Sequence, residues 1–532
     1  MDNLSQFAII VDSKHDNVAV ARIFVPAGTT VLWQDHAITV RADIGPGHRF
    51  AIADVPPGEW VRQYGQPFAQ SKGLHSGDPV DDTTVESVAP LVDANKLVLQ
   101  TPALPPWDGP LPTFEGFHRP SGTIGSAGLV GTRNWVLVLP TSMCSSHEAS
   151  QIALLAEATG IYTRERYPNV DGVTAIPHTG GCGCAYPLAG APTRGTMENT
   201  LRILAQHIRH PNVGAVLMIE LGCEKASFAT FDAYFGEDLG ARYGKPVLHL
   251  TIQEVGGTQA TIERGLALLP DLLAEANATA RHPAPLSALS LGLECGGSDA
   301  FSGLSANPAL GQASDLLVRA GGRSIISEVP EFSGAEHLFA QRAVNRQVAV
   351  DVFAMVARYR EYAALRGHTL EDNPSPGNKA GGLLNITIKS LGSQAKSGSA
   401  PVQGVMEYGD WVWERDGAGV YMLNTPGYDP PSVTGLVGAG CQIVCFTTGR
   451  GSVFGNAIAP VIKIGTNDAL YARMSANIDV NAGAIIRGDA TLPDVGRTIF
   501  DEIVAVASGK RTKAELSGHR EFMLWNNEGL LT

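Results

Sequence analysis

The sequence lacks basic clusters and long apolar segments, and these two absences exclude broad classes of function. No run of lysine and arginine stands out and the formal net charge is −13, which argues against nucleic acid as a partner. No apolar run approaches the ~20 residues that a membrane-spanning helix needs. The first five residues, Met1 to Ser5, lack the basic start and apolar centre of a signal peptide. We therefore expect a cytoplasmic protein that binds neither nucleic acid nor a membrane.

Cysteine is scarce as well, with seven residues in a chain of 532. Without a recognisable leader, this usage favours reduced thiols over a disulfide framework. The hydrophobic fraction of 44% and the charged fraction of 17% are ordinary for a globular protein. Because the chain is too long for one hydrophobic core, we expect about two to four domains.

Turn signals and periodicity divide the chain into four parts. Short apolar segments with Pro-Gly breaks predict a small β-rich domain over residues 1–100. Six prolines between residues 101 and 120 predict an extended linker. Alternating strand and helix patterns then predict α/β units with mostly parallel, Rossmann-like sheets. We assign an α/β catalytic domain to residues 121–370 and a C-terminal α/β domain to residues 371–532, with a non-helical loop at 373–382.

The segment from Ser290 to Gly311 carries the strongest local signal. An apolar run over 288–293 predicts a buried strand, and Cys295 to Asp299 predicts a glycine-rich turn before a helix. This arrangement places polar groups and helix N–H groups at the carboxyl end of a sheet, where α/β proteins bind ligands. The alternative is a tight turn around a buried, inert cysteine.

Thiol, imidazole and carboxylate side chains recur directly after predicted strands. In a parallel sheet such positions lie along one edge, so they can converge into a metal or redox site. The alternative is that the cysteines are buried and pack as small hydrophobic residues. None of the spacings is a known metal signature, so both alternatives remain open. The predicted metal ligands are Cys144, His178, Cys182, Cys223, Glu224 and Cys295.

Several motifs resemble the galactarate/altronate dehydratase family, and the resemblance covers nearly the whole chain. The first hundred residues look like that family's SAF domain, with Asp16-Asn17 and Gly47-His48 matching its motifs. The remaining motifs are Gly131–Asn134, Gly222–Lys225, Cys295–Gly303 with Ser305–Pro308, Asn373–Lys379 and Phe446–Gly451.

The resemblance implies a hydro-lyase that removes water from a sugar acid and releases a 2-keto-3-deoxy acid. It also implies a divalent metal, Fe²⁺ or Mn²⁺. An iron–sulfur cluster held by Cys144, Cys182, Cys223 and Cys295 is the less favoured version of the cofactor. Dehydration beside a carboxylate needs a base for the α-proton, an acid for the leaving β-hydroxyl and positive charge for the enediolate.

Two sets of residues are assigned to this chemistry. For proton transfer we predict His48, Lys379 and Asp299. The assigned residues have structural alternatives. Lys379 as a solvated loop charge is one, and an internal ion pair of Arg450, assigned below to substrate binding, is another. The predicted substrate-binding residues are Asp16, Asn17, Ser298, Ser302, Asn373, Asn378, Thr448 and Arg450.

The substrate is less well defined than the reaction. Residues 392–398 look like the galactarate branch of the family, whereas Thr425–Asp429 looks closer to the altronate branch. We favour a galactarate-like aldarate, with altronate or another aldonate as the alternative. A sulfolactate-type C–S lyase and a non-catalytic sugar-acid-binding protein are the further alternatives. A small-molecule sugar acid and a homo-oligomer are the expected partners.

Overall fold

The computed structural model describes residues 2–90, 92–120, 129–184, 195–236 and 238–526. The N-terminal part is built from short strands in three small sheets, because turns with glycine at positive φ interrupt the chain every few residues. This confirms the predicted β-rich domain. Its strands are Asp2–Asn3, Ala8–Ile9, Val18–Ala21, Thr30–Trp33, His36–Thr39, Arg49–Ala51, Trp60–Gln63, Gln66–Ser71, Pro79–Val80 and Val85–Glu86, and Leu4–Gln6 is a 3₁₀ helix.

The proline-rich segment is not a free linker between domains. Gln100 N donates to Gln341 O at 2.7 Å, and Thr101 Oγ1 donates to Ala343 O at 2.6 Å, so the segment lies along the C-terminal part of the chain. Its predicted extent to residue 120 is wrong, because Thr113–His118 is a strand. That strand pairs antiparallel with Val130–Gly131 and Arg281–Pro285, and Ala94–Lys96 is a 3₁₀ helix.

A four-stranded parallel sheet follows, with helices on both faces. Its strands, in spatial order, are Gly172–Ala175, Trp135–Pro140, Val213–Glu220 and Val247–Thr251. The helices of this part are Met143–Ser145 (3₁₀), Ser146–Ala158, Thr196–Arg209, Phe228–Phe235, Leu239–Tyr243, Ile252–Val255 and Thr258–Asn277.

A seven-stranded parallel sheet forms the third part, and Ser290–Cys295 is its central strand. The chain leaves Ser290–Cys295 for Arg323–Ile326 on one side and later returns to Ile443–Thr448 on the other. The carboxyl ends of the two strands at this switch point are where an α/β sheet opens a crevice for ligands. The strands, in spatial order, are Val402–Met406, Gly419–Leu423, Arg323–Ile326, Ser290–Cys295, Ile443–Thr448, Val461–Gly465 and Val480–Asn481.

The helices around this sheet bury both of its faces in hydrophobic core. One core is shared with the four-stranded sheet, since Leu204 and Leu436 belong to the same buried cluster. The α-helices are Ala306–Arg319, Glu336–Gln341, Arg346–Ala364, Pro376–Ala380, Ile386–Ser393, Asp429–Gly438, Asp468–Arg473, Gly483–Arg487, Leu492–Ala507 and Lys513–Leu516. The 3₁₀ helices are Leu286–Ala288, Val329–Phe332, Leu370–Asp372, Gln394–Ser397 and Val412–Glu414.

Two predicted features of this region need correction. The boundary at residue 370 cuts the seven-stranded sheet, because its central strands precede that residue and its outer strands follow it. The two α/β units instead divide between Asn277 and Ser290. The loop at 373–382 contains the helix Pro376–Ala380, since proline is tolerated at the first helical position and Ser375 caps the helix.

Within the described ranges, no helix is both long and apolar enough to traverse a bilayer.

Candidate active site

A cluster of buried ionisable side chains surrounds Cys295 at the end of the central strand. The Sγ atom of Cys295 lies 2.9 Å from Lys396 Nζ and 3.1 Å from Glu331 Oε2. Glu328 Oε2 accepts hydrogen bonds from Lys396 Nζ at 2.7 Å and from the Cys295 amide at 3.0 Å. The cluster forms because Glu328 and Glu331 follow the neighbouring strand Arg323–Ile326 of the same sheet.

Lys389 connects this cluster to the solvent. Its Nζ atom lies 2.6 Å from Glu331 Oε1 and donates to Asn373 Oδ1 at 2.8 Å. The side chain lines a cleft of about 530 Å³ above the switch point of the sheet. The other polar or glycine positions that line the cleft include Cys295, Gly296, Gly297, Glu331, Asn373, Ser375, Asn378 and Asp429.

Lys389 and Lys396 determine which acidic groups of the cluster are charged. Burial alone would raise the pKa of Glu331, but the ammonium groups of Lys389 and Lys396 lower it to about 2. Burial opposes the charge of both lysines, yet their acidic neighbours keep both pKa values above the usual range. Burial, with the nearby Glu328, raises the pKa of Cys295 well above its usual value. At neutral pH the cleft therefore presents an ammonium–carboxylate pair beside a neutral thiol.

A second group at the same strand ends supplies only oxygen atoms. Carboxylate oxygens of Glu294, Glu328 and Asp429 all lie within 4.8 Å of one another. Glu294 Oε2 accepts from Ser327 and Ser432, whereas Glu294 Oε1 is buried without a hydrogen-bond partner in the described part of the chain. Three carboxylates with an unsatisfied buried oxygen fit a divalent cation.

Asp299 lies in the turn after the central strand, as predicted, but its carboxylate already accepts hydrogen bonds from other residues of the protein. Its oxygens accept from Ser302 N at 2.9 Å, from Thr466 Oγ1 at 3.1 Å and from Asn467 Nδ2 at 3.1 Å. Burial raises the pKa of Asp299 to about 6. A Cβ on Gly449 would overlap this carboxylate, so Asp299 holds the turn that carries Arg450. These contacts support a positioning role for Asp299, and its role as a proton carrier stays a prediction.

We expect Asp299→Asn to destabilise the protein by about 1–3 kcal/mol. The amide of asparagine would place its N–H groups against the hydrogen-bond donors that now face the Asp299 carboxylate. Activity falls with it, since the turn carrying Arg450 loses its support. Urea unfolding and steady-state kinetics measure the two effects. Asp315→Asn is the matched control, because Asp315 accepts hydrogen bonds from Ser399 on the far side of the sheet. Equal stability of Asp299→Asn and wild type would contradict the assignment.

The N-terminal β domain docks directly beside this turn. Gly47 contacts Gly381, Gly382 and Ala300, and no larger residue fits because a Cβ on Gly382 would overlap Gly47 O. Arg49 Nη1 donates to Gly382 O at the same contact. His48 is thereby exposed next to the helix that carries Lys379, which is exposed as well.

We expect a chain that begins near residue 121 to lose at least ~100-fold in kcat/KM, because it lacks the domain that carries His48. The measurement compares this truncated chain with the full-length protein under the same assay. Circular dichroism checks that the two α/β units stay folded. Full activity in the truncated chain would show that the N-terminal domain is not part of the catalytic unit.

Two predicted substrate-binding residues of the N-terminal domain have other partners. Asp16 accepts from the amides of Asp12 and Gly65, and burial raises its pKa. Asn17 accepts from the Arg62 amide at 2.7 Å and donates to a backbone carbonyl. Both side chains hold loops of the domain together, in place of the predicted contact with substrate.

The other predicted binding residues lie near the cleft, and they differ in whether their side chains are available to a ligand or bonded within the protein. Arg450 is exposed at the rim, and Ser298 Oγ is buried without a hydrogen-bond partner among the described residues. The remaining side chains make internal bonds: Asn373 to Lys389, Asn378 to Ser298 O, Ser302 to Asp299 and Thr448 to the Gly451 amide.

The predicted metal ligands do not form one centre in the described ranges, because they lie on two separate sheets. Cys295 belongs to the seven-stranded sheet, and the other five follow strands of the four-stranded sheet. Both ring nitrogens of His178 are hydrogen bonded, and burial lowers its pKa to about 4. Burial would raise the pKa of Glu224, but hydrogen bonds from backbone amides and hydroxyl groups lower it. Cys144, Cys182 and Cys223 are exposed.

The sequence-based prediction missed most of the buried cluster. Its members come from strands, helices and turns between Glu294 and Asp429, and no spacing connects them. Three of them lie in segments that the sequence analysis had singled out for other reasons: Glu294, Lys396 and Asp429. The missed residues are Glu294, Glu328, Glu331, Lys389, Lys396 and Asp429.

Comparison with known proteins identifies the family. Three family models match: "Altronate/galactarate dehydratase SAF domain" over residues 7–87, "D-galactarate dehydratase/Altronate hydrolase, second domain" over 116–277, and "D-galactarate/Altronate dehydratase, C-terminal" over 286–529. These ranges agree with the β domain and with the two sheets of the structure.

Relatives match over most of their length. The chain is 33% identical to altronate dehydratase of Bacillus subtilis (strain 168), over 97% of this chain and 98% of that protein. It is 34% identical to altronate dehydratase of Escherichia coli (strain K12), over 96% and 97%. It is 35% identical to galactarate dehydratase (L-threo-forming) of Escherichia coli (strain K12), over 88% and 87%. The chain therefore belongs to the D-galactarate/altronate dehydratase family, and its N-terminal β domain is the SAF domain of that family.

Proposed function

We propose that this protein is a hydro-lyase that converts a sugar acid, with a galactarate-like aldarate favoured, into a 2-keto-3-deoxy acid. One observation carries the proposal. The Lys389–Glu331 pair opens onto the cleft at the switch point, next to three converging carboxylates. A cationic proton donor beside a candidate cation site is what elimination next to a carboxylate requires.

The reaction breaks two bonds and moves two protons. A base removes the α-proton, and the β-hydroxyl leaves as water after it takes up a proton. The resulting enol then tautomerises to the 2-keto acid. Lys389 is assigned as the donor to the leaving oxygen, because its ammonium is held by Glu331 and Asn373. His48 and Lys379 are the proposed acceptors of the α-proton, because both are exposed and Lys379 shares a helix with Asn378 of the cleft.

A divalent cation, Fe²⁺ or Mn²⁺, is proposed at Glu294, Glu328 and Asp429. When bound there, it supplies positive charge next to the substrate carboxylate. The unpartnered Glu294 Oε1 supports this position over the ligand set predicted from the sequence. Burial raises the pKa of Glu294 well above its usual range and that of Asp429 to about 6, which is the direction expected for carboxyls that lack a counter-charge.

An aldarate is favoured because the cleft offers cationic groups at separated positions. Lys389 lines the cleft, whereas Arg450 is exposed and lies next to Gly297, a glycine of the cleft wall. The Arg450 side chain lies against Gly381, where a Cβ would approach Arg450 Cδ to 3.4 Å. The planar guanidinium of Arg450 has paired N–H donors, which suit the second carboxylate of a dicarboxylic acid.

We expect Arg450→Lys to raise KM for galactarate about tenfold with little change in kcat, because bidentate binding is shared by ground and transition states. The effect on an aldonate such as altronate is smaller, since it has one carboxylate. Arg473→Lys is the matched control, because Arg473 is an exposed neighbour whose side chain donates to the Arg450 carbonyl and makes no ion pair among the described residues. Equal KM changes for both substrates would contradict the second-carboxylate role.

The substrate panel tests the proposal itself. Galactarate, altronate and sulfolactate are offered to the full chain with Fe²⁺ or Mn²⁺ under reducing, anaerobic conditions, and 2-keto acids and sulfite are measured. We expect 2-keto acid from galactarate and its loss after chelation, with recovery on adding metal back. Sulfite release would support the C–S lyase instead. Binding without turnover, unchanged by chelation, would support the non-catalytic alternative.

A further inference from the structure

Three cysteines lie in loops that leave the four-stranded sheet at the same edge. Cys144 follows the strand Trp135–Pro140, and Cys182 and Cys223 follow the strands on either side of it. Because all three strands are parallel, their carboxyl ends meet at one edge. All three side chains are exposed, and none forms a disulfide. We call the loops around them the three thiol loops.

The three thiol loops are fastened to one another by hydrogen bonds between residues that flank the cysteines. A Cβ on Gly181 would overlap Thr141 O, so the first two loops are in direct contact. The loops that carry the three cysteines are therefore held against one another at this edge of the sheet. The three bonds are Met143 N to Gly180 O (3.2 Å), Ser142 Oγ to Glu224 Oε1 (3.0 Å) and Ala226 N to Gly181 O (2.9 Å).

The other potential ligands nearby are already occupied, whereas the three thiols are not. His178 and Glu224 use their polar atoms in hydrogen bonds to the loops. Cys184 is buried against Met197. No hydrogen bond to Cys144, Cys182 or Cys223 Sγ occurs in the described part of the chain. Residues 185–194 contain no Cys, His, Asp or Glu.

The positions of the three thiols argue against a single shared ion. Among the described side chains, these three sulfur atoms do not all lie within 4.8 Å of one another, as ligands of a single ion must. An iron–sulfur cluster spaces its thiolates more widely, because each sulfur binds a different iron. Three cysteines also leave one iron of a four-iron cluster without a protein thiolate.

We propose that Cys144, Cys182 and Cys223 hold a [4Fe–4S] cluster at the edge of the four-stranded sheet, with one iron open to a non-protein ligand. This centre is separate from the candidate cation site on the seven-stranded sheet. It involves no thiol of that sheet, since Cys295 is bonded to Lys396 and Glu331. The inference does not depend on the proposed substrate, because cluster content is measured without turnover.

The test uses the full chain, purified anaerobically and then incubated with Fe²⁺ and sulfide. We expect roughly four irons and four acid-labile sulfides per chain, broad absorption near 400 nm and an electron paramagnetic resonance signal after reduction. Cys144→Ser, Cys182→Ser and Cys223→Ser each lower the sulfide content at least about fivefold. Cys184→Ala and Cys441→Ala are the matched controls and keep it, because both residues are buried elsewhere in the core.

Three outcomes would overturn the proposal. Absence of acid-labile sulfide after reconstitution excludes a cluster. One iron per chain without sulfide indicates a single ion instead. Full cluster content in all three serine variants, checked for folding by circular dichroism, excludes these ligands. Retention of the cluster with no dehydration of any sugar acid would leave the site assigned and reject only the proposed function.

Discussion

Lys389→Met is expected to lower kcat by about 10³-fold, within the range attributed to a positioned general acid. Methionine preserves the length of the side chain but removes the ammonium that lies 2.6 Å from Glu331 Oε1. KM is expected to change less than kcat, because proton donation to the leaving oxygen occurs only in the transition state. Steady-state kinetics with the substrate that the panel identifies measures both parameters.

A structural loss must be separated from the loss of the proton donor. Lys389→Arg keeps the positive charge next to Glu331, so we expect it to remain folded while its kcat stays at least ~100-fold low, because a guanidinium does not release its proton. Lys379→Met tests the exposed lysine that the sequence suggested. Because Lys379 is a proposed acceptor of the α-proton, a loss of kcat in Lys379→Met supports that role and leaves the assignment of Lys389 unchanged. Near-normal kcat in folded Lys389→Met would reject the assignment.

The sequence predicted the strand and the turn that form this site better than the reactive side chains in it. The apolar run before Cys295 and the glycine-rich turn after it identified the central strand and the ligand-binding end of the sheet. Local patterns carry that information, because strand length, burial and turn residues are adjacent in the chain. The motifs that match the family were likewise local, and they also identified the SAF domain correctly.

The predicted ligands do not share one centre, and the reason is topological. A polar side chain directly after a strand is the same signal on either sheet, and the sequence does not tell which strands share a sheet. Cys295 and Cys223 therefore looked equivalent, although they lie on different sheets. The surroundings of Asp299 were missed for a different reason, because nothing local shows that Thr466 and Asn467 donate hydrogen bonds to its carboxylate.

Lys389 and Glu331 were missed because their contact is made only by the tertiary fold. Lys389 lies within the apolar helix Ile386–Ser393, where one lysine looks like an ordinary exposed residue. Only the packing of that helix against the turn Val329–Phe332 turns it inward onto Glu331. Burial and pairing together define the site, and both are properties of the folded chain.

Lys396→Met is expected to destabilise the protein by about 3–5 kcal/mol, the usual consequence of removing one partner of a buried ion pair. Lys396 and Glu328 are both fully buried, and their charged atoms lie 2.7 Å apart. Burial and the charge of Glu331 raise the pKa of Glu328 to about 8, and removing the Lys396 ammonium takes away a positive charge that opposes this rise. Urea unfolding followed by circular dichroism measures the loss. Glu328→Gln in the same background is expected to recover part of it, giving a coupling energy from the double-mutant cycle.

Lys463 provides the matched control, because it is also fully buried but differs in its partners. Its Nζ atom has no hydrogen-bond partner within the described ranges, and burial lowers its pKa to about 8. Lys463→Met removes a charge that burial disfavours, so we expect a change within about 1 kcal/mol or a gain in stability. The two substitutions are chemically identical and differ in whether a carboxylate is paired directly with the ammonium, since no ion pair of Lys463 occurs in the described part of the chain. Equal losses in both variants would mean that packing of the lysine side chain, and not the ion pair around Cys295, stabilises this end of the sheet.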